Sequence, residues 1–222
     1  MTTRLAGAPE LFRLAWRRDR ILVPASVLGL VALSVGSAQA TLALYPDDEA
    51  AATGLAGVLT NPSVIAMYGP LASQTADALA VFKTVMMGAF LTAVLGFVVV
   101  RRHTRTEEDE GRHELVGSGV VGRWSALAAS VALACLSVIA ASALSAVGLA
   151  ALGMDGAGSA AFAVAWLSAG LATVGVTAVA VQLASTSRGA AGLGFGFLAA
   201  AYARRAVADS WDAGTLLHAL GW

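Results

Sequence analysis

Five long apolar runs, separated by short polar or charged segments, organise the chain. They cover residues 21–44, 79–100, 124–152, 159–184 and 189–208. A helix needs about 20 mostly apolar residues to cross a bilayer core, and each run approaches or exceeds that length. The third is long enough to tilt or protrude, and the fifth is weaker because Arg204 and Arg205 interrupt it. Alternation of the strand type is absent, and the runs are about twice as long as barrel strands. The pattern predicts an all-α, polytopic transmembrane helical bundle with about five spanning helices, forming one transmembrane domain over 1–222.

The segments between the runs carry their own signals. Residues 1–20 place Leu11, Phe12, Leu14 and Trp16 among Arg13, Arg17, Arg18 and Arg20. That mixture predicts an interfacial helix at the cytoplasmic surface, its basic side toward anionic lipid. Ser37-Ala38-Gln39-Ala40 resembles a signal-peptide cleavage site, but the apolar run continues through Leu44, so the first span is expected to stay. Residues 45–78 form a long loop with Pro46, Pro62, Pro70 and the acids Asp47, Asp48 and Glu49. It either dips into the membrane edge or caps the bundle. Its acids either attract cationic solutes or are simply solvated. Residues 209–222 are read as an external or re-entrant end.

Composition narrows the class. The apolar share is 58% and the charged share 13%, with a mean hydropathy of +0.75. A soluble domain carries about twice that charge, and a disordered chain far less apolar material. The 14 basic and 14 acidic residues cancel, so the chain as a whole lacks the electrostatic footprint of a nucleic-acid binder. Placement is more informative than balance. Arg4, Arg13, Arg17, Arg18, Arg20, Arg101, Arg102, Arg105, Arg112, Arg123 and Arg188 all fall on one side of the predicted bundle. Loops 45–78 and 153–158 contain no basic residue. The positive-inside rule makes the N-terminus and the 101–123 loop cytoplasmic and the 45–78 loop external, in a multi-pass protein of the inner or plasma membrane. Trp16 and Trp124 at one boundary, with Trp211 and Trp222 near the other, fit aromatic belts, whereas Trp166 lies inside the fourth run and reads as packing. The single cysteine, Cys135, allows no internal disulfide and reads as a small packing residue.

The strongest local signal is the charged loop. Thr106 with Asp109 three residues later resembles a capping box, and the acids Glu107, Glu108, Asp109 and Glu110 would sit at the positive end of a helix dipole. Glu108 and Arg112 make an i, i+4 pair of favourable polarity. A short, charged helix over 106–116 follows, ended by Gly117-Ser118-Gly119. It either merely connects two spans or docks a cytoplasmic partner.

Chemistry of other kinds is missing. A phosphate-binding loop needs glycines ahead of its lysine, but Asp77 and Phe82 hold those positions before Lys83 and Thr84. His113-Glu114 opens like a zinc-protease motif, but Gly117 stands where the second histidine belongs. No metal site and no catalytic residue is assigned. Intramembrane charge is scarce, so Lys83, Arg204, Arg205 and Asp209 are the candidates to line a solute path. The bland alternatives are that Lys83 snorkels to headgroups and that Arg205 and Asp209 neutralise each other at i, i+4. Gly192 and Gly196 form a small-xxx-small pattern that predicts close helix packing.

The loop Glu107-Glu108-Asp109-Glu110-Gly111-Arg112-His113-Glu114-Leu115-Val116, followed by Val120-Val121-Gly122-Arg123, resembles that of permease subunits in type-2 ABC exporters. It is most similar to bacterial permeases of the polyketide-antibiotic exporter group. Leu14-Ala15-Trp16-Arg17-Arg18-Asp19-Arg20 and Arg204-Arg205-Ala206-Val207-Ala208-Asp209 agree with that resemblance. It implies an N-terminal elbow helix and a coupling helix, here Glu107 to Leu115, that touches a separate ABC-type ATPase. ATP and Mg would then be held by that partner, with no cofactor in this chain. Such permeases continue to a sixth span, and the antibiotic-exporter group carries a second, similar half. The chain therefore looks like an N-terminal half, working with a second permease half or as a homo-oligomer. The expected function is the membrane-spanning permease component of an ATP-driven exporter of hydrophobic or amphipathic small molecules, itself not an enzyme. The alternative is a polytopic scaffold, assembly factor or sensor without transport.

Overall fold

The computed structural model of the protein describes residues 5–55, 61–71, 73–104 and 122–210. Among these residues there are eight helices and no strand: α1 (Ala8–Arg18), α2 (Leu22–Leu44), α3 (Asp48–Leu55), α4 (Pro62–Tyr68), α5 (Ala76–Arg102), α6 (Ser125–Ala151), α7 (Gly156–Leu183) and α8 (Ser187–Ser210). Helices α2, α5, α6 and α7 are long and apolar enough to cross a membrane. The protein is a multi-pass membrane protein built as a helical bundle. Helix α8 has 24 residues, about 36 Å of rise, but its arginines keep it outside that apolar class.

Helix boundaries follow from local chemistry. Gly7 adopts the left-handed conformation ahead of α1 (φ 80°), and Pro9 sits in the first turn, where its missing N–H costs nothing. Pro24 is tolerated for the same reason at the start of α2. Gly153, with φ 87°, turns the chain between α6 and α7. Asp155 then caps α7, its Oδ2 accepting the Gly158 N–H at 2.7 Å.

The 45–78 loop caps the bundle through α3 and α4. Asp47 and Asp48 serve as helix caps. Asp47 Oδ1 accepts the Ala50 N–H of α3 at 2.8 Å, and Asp48 Oδ1 accepts the Ala76 N–H at the start of α5 at 2.8 Å. Nearby, Asp77 Oδ2 accepts the Asp155 N–H at 2.9 Å and ties α5 to the α6–α7 turn. These carboxylates answer the orphan donors and positive dipole ends of helix starts. Helix α4 wedges between α5 and α8: the Tyr68 ring lies 5.6 Å from that of Phe82, and the Tyr202 hydroxyl donates to the Met67 carbonyl at 3.4 Å.

Helix α5 is the centre of the bundle, packing on α2, α6, α7 and α8. Half of its most apolar stretch is buried, against 22% for α2. Small residues recur every fourth position along it at Thr84, Gly88, Thr92 and Gly96, all buried. Helix α7 answers with Trp166, Gly170, Val174 and Thr177. A Cβ built on Gly88 would fall inside the Trp166 indole, and one on Gly96 would come within 2.8 Å of Val174 Cγ2. One on Gly170 would reach Val138 Cγ1 of α6 at 2.5 Å. Helix association in a bilayer rests on such close packing, because lipid tails are as apolar as the helices. The expected packing role of Gly192 and Gly196 is corrected here. Neither would meet anything within 4 Å, and it is Gly194 that packs, against Phe97.

Several buried hydroxyls bond within their own helices. Thr92 donates to the Gly88 carbonyl (2.7 Å), Ser137 to Leu133 (2.7 Å) and Thr177 to Thr173 (2.6 Å). Many large apolar side chains are exposed, among them Leu28, Ile139, Val147, Val164 and Val179. This is the inverse of a soluble surface and the expected face toward lipid.

Candidate functional site at the arginine-rich end

Helix α1 lies across one end of the bundle against α6. Ala15 is buried and Phe12 packs on the core, while Arg13, Arg17 and Arg18 are exposed beside Leu14 and Trp16. Exposed cations interleaved with exposed apolar side chains suit the headgroup boundary. Arg101, Arg102 and Arg123 join them, the Arg123 guanidinium lying 5.1 Å from the Trp124 ring.

Between α1 and α2 the chain turns at Asp19, which is 1% exposed. Its Oδ2 accepts from His103 Nε2 at 2.7 Å, and its Oδ1 lies 3.1 Å from Arg102 Nε. The Arg102 side chain is 38% exposed and that of His103 only 6%, so the cluster is dry on the histidine side and reaches solvent through the arginine. Asp19 also extends the backbone through the turn, its N–H bonding the Ala15 carbonyl and its carbonyl accepting from Val23. At the other end of α1, the Ala6 carbonyl accepts both the Gly122 N–H at 2.9 Å and the Ser125 hydroxyl at 2.7 Å. Thus α1 is fastened at one end to the last turn of α5 and at the other to the first turn of α6.

The expected coupling-helix residues, Glu107, Glu108, Asp109, Glu110, Gly111, Arg112, His113, Glu114 and Leu115, lie outside the described residues, as do Trp211 and Trp222. The side chain of Asp209 is also outside them, and with it the Arg205–Asp209 pair. Lys83 is exposed on α5, and Arg204 is exposed on α8 with Arg205 half-buried beside it. Trp166 is fully buried: its Nε1–H bifurcates to the Thr84 and Val85 carbonyls of α5 at 3.3 and 3.1 Å, and its ring meets Phe162 at 4.6 Å. Sequence reasoning placed Asp19 only inside a basic patch. The available signal was an acid flanked by arginines immediately before an apolar run, a place where a carboxylate must find partners or stay outside the membrane.

No protein-family profile matches the chain. Among curated proteins, a multidrug efflux system permease protein of Mycobacterium tuberculosis is 38% identical over 219 residues. The match covers 97% of this chain and 40% of the relative's own length. Nearly all of the helical bundle described above is therefore similar to a part, less than half, of a multidrug efflux permease.

Proposed function

We propose that this chain is a membrane-spanning permease component of an ATP-driven exporter of hydrophobic or amphipathic compounds. The observation that carries the reading is the similarity to a multidrug efflux permease over almost the whole bundle, including the arginine-rich end. Energy enters through a separate ABC-type ATPase subunit that holds ATP and Mg, and the chain itself catalyses nothing. A second permease half, or a second copy of this chain, completes the path. The arginine-rich end faces the cytoplasm of a cell in whose inner or plasma membrane the bundle sits.

Two measurements test this. Cells expressing the chain with its ATPase partner should accumulate several-fold less of a fluorescent amphipathic cation such as ethidium, and the ATPase should co-purify with the chain in mild detergent. Wild-type accumulation together with loss of the ATPase on purification would remove the exporter reading. For orientation, cysteines introduced at Asp48 and at Arg17, in a Cys135→Ser background, should be labelled by a membrane-impermeant maleimide from opposite sides. Labelling of Arg17→Cys from outside intact cells would invert the topology.

A further inference from the structure

The two fastenings of α1 have a consequence for how the connection between α5 and α6 is held. Its entry is Arg102 and His103, and its exit is Gly122 and Ser125. Both are attached to residues that flank one 11-residue helix, about 16 Å long. The entry fastening is ionic and buried, the exit fastening a backbone carbonyl with two donors. We propose that Asp19 is a positioning residue: its carboxylate, clasping His103 and Arg102, fixes the span between the two ends of this connection and passes displacement of the α5 end to α2.

Three observations support it. Asp19 belongs to neither α1 nor α2 but to the turn joining them, so movement of its carboxylate is movement of the start of α2. A carboxylate in a dry site exerts a much stronger pull on its partners than one in water, and a broken pair leaves the remaining charge uncompensated. The partners on α5 are its last-turn arginine, an ion pair, and the hydrogen-bonded histidine directly after it, with Thr104 anchored back onto the Val100 carbonyl at 2.8 Å, so the end of α5 is held where it is gripped.

The inference rests on the exporter reading only for its functional readout, and the test separates the two. Spin labels at Arg17→Cys on α1 and Leu91→Cys on α5, in a Cys135→Ser background, report the distance between the two helices in the full-length chain. Asp19→Asn is expected to broaden that distribution at least twofold. It is also expected to cut ethidium export at least tenfold while the ATPase still co-purifies. Should Asp19→Asn fail to accumulate, His103→Gln, which keeps a donor at similar reach, is expected to broaden the distribution less and to lower export about threefold. A distribution of wild-type width in whichever variant accumulates overturns the clasp, whatever the transport result. A broadened distribution with wild-type export overturns its role in transmission. If the wild-type chain exports nothing, the exporter reading fails and the label distances still decide the clasp.

Discussion

Trp166→Ala is expected to destabilise the bundle by about 3–5 kcal/mol, the cost of emptying a large aromatic site in a packed core. The indole is fully buried, lies over Gly88 and Phe162, and donates to two α5 carbonyls. Its removal leaves a void at the centre of the α5–α7 contact. Gly88→Leu should do comparable harm by the opposite route, since its side chain would have to enter the volume of the indole. The two effects should then not add. In the double variant the leucine occupies space vacated by the indole, so the summed loss should exceed the observed loss by about 1 kcal/mol or more. Reversible unfolding in mixed dodecylmaltoside and SDS micelles measures all four proteins. A loss below about 1 kcal/mol for Trp166→Ala would show that α5 and α7 hold together without it.

The second large effect belongs to energy coupling and follows from the proposed function. Glu110→Lys combined with Glu114→Lys should abolish drug export and reduce ATPase retained on purification at least tenfold, with membrane insertion unchanged. On the proposed function ATP is held by the partner subunit, so its work reaches this chain through a protein contact. The acidic segment between α5 and α6 is the part of the sequence best suited to such a contact, with Leu115 as an apolar anchor. Small interfaces depend on a few residues, and a loss of about 2 kcal/mol is roughly a thirtyfold change in affinity. Gly111→Trp should act in the same direction by keeping the partner's backbone away. Wild-type export and co-purification in these variants would reduce the segment to a connector.

How much of this was legible beforehand depended on the range of the interaction. Long apolar runs announce spanning helices because lipid contact acts on each residue separately. The amphipathic α1 is legible for the same reason, and Trp166 reads as packing because it lies far from either interface. What could not be read was which small residues meet a partner. Thr84, Gly88, Thr92 and Gly96 have the same spacing as Gly192, Gly196 and Ala200, yet the first set faces Trp166 and Gly170 while Gly192 and Gly196 meet nothing within 4 Å among the described residues. The difference lies in the partner helix, not in the motif. Asp19 was hidden likewise. Its neighbours in sequence are arginines, which suggest a solvated surface, whereas the residues that hold it stand 83 and 84 positions away. In sequence the acids of the 45–78 loop look solvated or solute-attracting, because a cap is visible only once the helix start it serves has been placed.

The notched contact between α5 and α7 has a mechanical side. With an indole seated over Gly88, Val174 over Gly96 and Thr92 of α5 against Gly170, neither helix can slide along the other without lifting a ring or a branched side chain out of its seat. The pair therefore acts as a single beam, removed from the list of internal degrees of freedom. Helix α8 is different. Its notch on α5 is Gly194, where Phe97 is seated with its ring tilted against that of Phe195 at 4.8 Å, while Gly192 and Gly196 would meet nothing within 4 Å. Any change in the shape of this bundle that keeps these seats filled then carries α5 and α7 together.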